Sequence, residues 1–162
     1  MKRLVRFMCI AGNFSLMMRL KRIVYLLLGM IAVVAIHAPA AYAGVAVVCN
    51  ASSTVAGKLD KQSLARIFTG RTVQIDGVTV IPVNLPVGNA ERGIFLRHIL
   101  QQNDDEYVAY WLVRKSIGKG IPPQELPSSQ DVLRFIRSNT GAIGYIKEQD
   151  VAPDVRLLLT IQ

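Results

Sequence analysis

Cysteine, histidine and acidic side chains are all scarce in this sequence of 162 residues, and each shortage excludes something. There are two cysteines and two histidines, and one of each (Cys9, His37) falls within the first 43 residues. Beyond that point only Cys49 and His98 remain. A single cysteine forms no internal disulfide, and one histidine with one cysteine does not supply the ligands of a transition-metal site. No serine or cysteine stands in a nucleophile motif, and no phosphate-loop or dinucleotide glycine pattern occurs. His98 sits within a predicted helix, where a lone histidine is a packing or surface residue. The sequence therefore predicts no catalytic residues, no metal, no cofactor and no enzymatic activity.

Acidic charge is missing from one end altogether. Residues 1–43 hold six basic residues (Lys2, Arg3, Arg6, Arg19, Lys21, Arg22) and no Asp or Glu. The formal net charge of +8 is thus mostly theirs, since the remaining residues carry thirteen basic against eleven acidic side chains. A net charge of +2 over 119 residues is not the clustered positive surface that nucleic-acid binding needs. Nucleic acid is excluded as a partner.

Arg19, Lys21 and Arg22 precede an apolar run from Ile23 to Ile36, which is followed by His37, Pro39 and Ala41-Tyr42-Ala43. A basic n-region, an apolar h-region and a small-residue site define a secretory signal peptide over residues 1–43, cleaved after Ala43. The run is too short for a transmembrane helix, which needs about 20 apolar residues. Met17-Met18 offers an alternative start. The expected location is the periplasm, and residues 44–162 form the expected single domain, long enough to bury one core.

The pattern of that domain is α/β. Val45–Cys49 is a short apolar strand that makes Cys49 a core residue. Asn50–Thr54 is a polar loop, and Asp60 caps a helix whose apolar face is Leu64, Ile67 and Phe68, ending at Gly70. Asp76-Gly77 marks a tight turn before a strand over 78–83, in which Pro82 argues for an edge or strand-end position. A second helix carries Phe95, Leu96, Ile99 and Leu100. A third opens on Asp104-Asp105-Glu106 and closes on Arg114-Lys115, in the sense that complements the helix dipole, with Val108, Trp111 and Leu112 as its apolar positions. After a Gly/Pro-rich loop, Ser128 to Asp131 reads as a capping box for a helix bearing Val132, Leu133 and Ile136. Strands follow at 142–146 and at the C-terminus, the latter with Val155, Leu157, Leu159 and Ile161 on one side.

Two loop-to-helix junctions are candidate anion sites, because free backbone N–H groups and the helix dipole favour negative charge there. One is Asn50–Thr54, with Ser52, Ser53 and Thr54. The other is Asn84–Arg92, with Gly88, Asn89 and Arg92. Plain turn and capping roles explain the same residues without a ligand.

Leu59–Gly70 ends on Ile67-Phe68-Thr69-Gly70, Arg92 with Phe95 and then Tyr110-Trp111 lie in the next two helices, and Gly141-Ala142-Ile143-Gly144-Tyr145 leads the strand after them. In this order the segments resemble the "IFxG" helix, the two following helices and the "GAIGY" strand of the phosphate-type periplasmic substrate-binding proteins of ABC transporters. The likeness covers nearly all of residues 45–162. It implies a single lobe resembling the type 2 periplasmic-binding fold, a mixed sheet flanked by helices. It also implies non-catalytic binding of a small oxyanion such as phosphate, with Arg92 supplying charge, Asn89 and Gly88 hydrogen bonds, and Ser52–Thr54 the rim. Val87–Arg92 stands where the family carries a Ser-Gly-Thr loop, and the family's full proteins have two lobes. Two arrangements stay open: a solute-binding protein, closed or not by homodimerisation, and a one-lobe module that binds a membrane or envelope protein instead of a small ligand.

Overall fold

A computed structural model describes residues 44–162; the expected signal peptide lies outside the described residues. Five strands form one mixed sheet in the order β5-β4-β6-β1-β7. Strand β1 (Val45–Asn50) is wholly buried and pairs antiparallel with β6 (Ala142–Lys147) and β7 (Val155–Ile161). Strand β4 (Ile81–Asn84) lies parallel to β6 on one side and to the two-residue β5 (Gln124–Glu125) on the other. A separate hairpin joins β2 (Gln74–Ile75) to β3 (Val78–Thr79). Its turn residues Asp76 and Gly77 have φ of 49° and 78°, the twin positive values of the tightest hairpin turn.

Successive residues of a strand face opposite sides of the sheet, and β6 uses both. A Cβ at Gly144 would stand 2.7 Å from Val132 and 3.4 Å from Ile136 of α4 (Ser129–Ser138), so this face of the strand packs on that helix. The ring of the neighbouring Tyr145 stacks on Phe95 at 4.1 Å and meets Phe68 at 6.1 Å. Those two residues belong to α2 (Ala90–Phe95, continued by a π-helical turn at Leu96–Leu100) and α1 (Lys61–Phe68). Helix α3 (Asp104–Ser116) joins the same layer, where the Tyr107 hydroxyl donates to the Phe68 carbonyl at 2.7 Å. The result is a sheet covered on both faces.

Most of the helix boundaries follow the capping logic. Asp60, Asn89, Asn103 and Ser128 each accept from a backbone N–H one turn on, which satisfies a donor the helix leaves orphaned. Three expectations need correction. On α3 the core side is Tyr107 and Trp111, whereas Val108 and Leu112 are 47% and 68% exposed; the two tyrosines of this helix turn its apolar face away from the aliphatic positions. On β7 the register shifts between Val47 and Val48, so the strand does not hold one face: Val155 and Ile161 are buried and Leu157 is exposed. Pro82 lies in an interior strand, but β5 pairs only with Val83 and Asn84. Pro82 therefore faces no second ladder on that side, which is where a residue without an N–H is tolerated.

Cys49 is fully buried and unpaired, and burial pushes its thiol pKa up. The thiolate is the reactive form, so iodoacetamide at neutral pH should leave Cys49 unmodified in the folded protein and alkylate it fully in guanidinium. Peptide mass mapping of Cys49 reads the outcome, and ready alkylation of the folded protein would contradict the buried placement.

Candidate functional site

The two candidate loops are at opposite ends of the sheet. β1 runs antiparallel to β6, and β4 runs parallel to it, so the carboxyl ends of β1 and β4 point in opposite directions. Cys49 is level with Ile143, and Ile81 with Ala142, which puts the Ser52–Thr54 loop beside the start of β4 and not its end. That loop has its own structural task. The Asn50 amide donates to the carbonyls of Ile136 and Arg137 at 2.7 and 3.1 Å, tying off the end of α4, while its Oδ1 accepts from Ser52 N–H. Ser53 is buried, and Ser52 and Thr54 are exposed.

Gly88, Asn89 and Arg92 do come together, at the carboxyl end of β4, the end at which open α/β sheets present ligand sites. Gly88 has φ of 82°, which suits glycine. Asn89 is the cap of α2, its Oδ1 accepting from Arg92 N–H at 3.0 Å. Arg92 is almost completely buried. Its Nε donates to Asp104 Oδ1 at 2.6 Å, and one terminal nitrogen donates to Glu125 Oε1 at 2.5 Å and to the Leu85 carbonyl at 2.7 Å. The guanidinium also lies over the Tyr107 ring, 5.6 Å from its centroid. Burial opposes this charge, and the carboxylates of Glu125 and Asp104 more than offset it, so the Arg92 pKa is raised.

The second oxygen of Asp104 accepts from Gly88 N–H at 3.3 Å. One carboxylate thus bridges a buried guanidinium and a loop N–H, the pair of donors that the sequence assigned to a ligand oxyanion. The internal anion is only partly buried, at 22% side-chain exposure. Glu91 does not crowd the place: its carboxylate turns toward the Lys147 ammonium at 3.8 Å. Beneath Arg92 the polar chain continues through Asn84, whose Oδ1 accepts from Tyr145 at 3.3 Å, and Tyr145 in turn accepts from Leu85 N–H at 3.2 Å. Burial raises the Tyr145 and Tyr107 pKa values, so both stay neutral phenols. Beside Arg92 lies a groove of about 330 Å³ with Val87, Val108, Leu112 and Pro122 among its walls and Arg92, Lys115 and Glu125 as its charged lining.

Asp104 and Glu125 are the residues that sequence reasoning missed. Asp104 reads as the charged first turn of a helix, which it also is, and nothing around Glu125 in the sequence marks it. Among the described residues no group of three or more His, Cys, Asp or Glu side chains is placed to hold a metal ion.

Two solved structures share this geometry of strands and helices. The chain matches a substrate-binding protein of phosphate ABC-transporter type with bound phosphate, from Clostridium perfringens, at 18% identity and a TM-score of 0.56, covering 71% of this chain and 44% of that one. It matches an ABC-type phosphate transport receptor from Vibrio cholerae at 16% identity and a TM-score of 0.53, covering 71% and 45%. The likeness is one of fold, a mixed parallel and antiparallel sheet flanked by helices. The chain spans less than half the length of the structures it matches. No protein-family model matches the sequence, and no curated protein does.

Proposed function

We propose that the protein is an exported, non-catalytic solute-binding module of phosphate-transporter type, working in the periplasm, whose ligand is a small oxyanion. The seat consists of Arg92 Nε, the Gly88 N–H and the Asn89 turn, and the ligand enters in exchange for the Asp104 carboxylate. The observation that carries the reading is that bridging carboxylate, whose two oxygens already take the donors an oxyanion would take. Likeness to two phosphate-transport proteins supports the chemical class, and fold alone does not carry function. Ser52–Thr54, at the far end of the sheet, stay outside the seat.

Exchange has an electrostatic consequence. The seat sets two carboxylates, Asp104 and Glu125, against one guanidinium, and a phosphate arriving there is repelled at contact range. Wild-type affinity is therefore modest. Asp104→Asn removes one negative charge while keeping the side chain's size, and phosphate should then bind about tenfold tighter or better. Equilibrium dialysis with radiolabelled phosphate, wild type against Asp104→Asn, measures this. Retention by neither protein, or equal retention by both, would overturn the exchange, and the partner-binding module would become the better account.

A further inference from the structure

A second cavity, of about 390 Å³, lies on α1 away from Arg92, and its lining includes Arg66 and Arg71, Gln102, Ala65, Leu100 and Tyr110. The way α1 ends accounts for the two arginines. Thr69 is the C-cap and Gly70 follows with φ of 65°. Gly70 N–H then donates to Ile67 O at 2.9 Å, and Arg71 N–H to Arg66 O at 2.8 Å. That pair of bonds is the Schellman closure, and it folds Arg71 back beside Arg66. Gly70 is held there twice over, because a Cβ would stand 2.7 Å from the Trp111 ring.

No carboxylate of the described residues lines this cavity. Two guanidiniums share it without a counter-charge, unlike Arg92, which has two. Gln102 also lines the cavity and carries an unmet need of the other sign, because its Oε1 is buried and has no hydrogen-bond partner. An acceptor shielded from water without a donor is costly, and a ligand donor that Gln102 met by turning its amide into the cavity would remove that cost. The rest of the wall mixes polar Gln62 and Thr69 with apolar Ala65 and Leu100, and the Tyr110 ring is fixed by its hydroxyl donating to Thr69 O at 2.8 Å.

We propose that this cavity binds a small organic anion, with a carboxylate or phosphate group facing Arg66 and Arg71 and an N–H or O–H donor facing Gln102 Oε1. The volume falls within the range of small-molecule sites, about 300–1,000 Å³. The site is independent of the Arg92 seat and stands whether or not that seat takes an oxyanion.

The test is calorimetric titration of the purified full-length protein with phosphoserine, which carries both an anion and an amine donor, and with sulfate, which has no donor. Phosphoserine should bind more tightly than sulfate, and Arg66→Gln with Arg71→Gln should weaken both by at least about tenfold, as expected for charge-assisted hydrogen bonds. Gln102→Leu should weaken phosphoserine and leave sulfate unchanged. Both arginines are exposed, and thermal melts would verify that the variants remain folded. No phosphoserine heat with wild type, or undiminished binding in the double arginine variant, would overturn the proposal. Equal phosphoserine affinity with and without Gln102 would overturn the donor assignment. Repeating the titration on Asp104→Asn separates the two sites: any tightening there belongs to the Arg92 seat, and the component lost with Arg66→Gln and Arg71→Gln should be unchanged.

Discussion

Replacing Arg92 with methionine should destabilise the protein by about 3 kcal/mol, the lower end of the cost of breaking a buried ion pair by removing one partner. Methionine fills much of the same volume, so packing is not the main loss. Three acceptors lose their donor at once: Asp104 Oδ1, Glu125 Oε1 and the buried Leu85 carbonyl. The two carboxylates sit at 22% and 47% side-chain exposure and regain water in part, which keeps the effect from the top of the range. The Leu85 carbonyl has no such escape, since Leu85 is 1% exposed. For a domain of this size the midpoint should fall by about 10 °C. Arg92→Lys keeps the charge but loses the fork that reaches both carboxylates, and should fall between the two. A midpoint for Arg92→Met within about 2 °C of wild type would contradict the placement of Arg92 as the hub of this network.

A comparable loss is expected from Gly141→Ala, for a different reason. Gly141 precedes β6, and its carbonyl accepts from Ile81 N–H at 2.8 Å, setting the start of the β4–β6 ladder. A Cβ built there overlaps the carbonyl oxygen of Thr79, the last residue of the β2–β3 hairpin. Backbone cannot rotate aside as a side chain can, so either the hairpin or the ladder must shift. The cost should reach about 3 kcal/mol, the upper part of the range for overpacking. Gly57 is the control, because a Cβ there meets nothing within 4 Å. Chemical denaturation of the two alanine variants measures the contrast, and equal stability would show that Gly141 is not a close-approach glycine.

Gly70 and Gly141, with Gly144, show why part of this fold was legible in the sequence. Each belongs to a short segment whose chemistry is local: a helix stop after Ile67-Phe68-Thr69, and a strand whose glycines admit Thr79 on one side and α4 on the other. Caps are local too, which is why Asp60 and Ser128 could be read directly. The face of α3 was not legible, because Tyr107 and Tyr110 count as polar or apolar depending on whether their hydroxyls find partners, and both do. The seat was half legible. Gly88, Asn89 and Arg92 lie within five residues of chain, whereas the partners that fix Arg92 come from 12 and 33 residues further on. The reach of Ser52–Thr54 depended on strand direction, which alternation of apolar residues does not encode. Once β1 is antiparallel to β6, that loop belongs to the other end of the molecule.

The most direct measurement of the oxyanion reading is a phosphate titration followed by nuclear magnetic resonance on nitrogen-labelled protein. The Gly88 amide and the Arg92 Nε–H should shift together and saturate, because the ligand replaces Asp104 on those two donors, and the Asn89 amide should follow as the next residue of the same turn, its own N–H staying on the Pro86 carbonyl. Absence of saturable shifts at these three groups, with or without shifts elsewhere, would contradict the account.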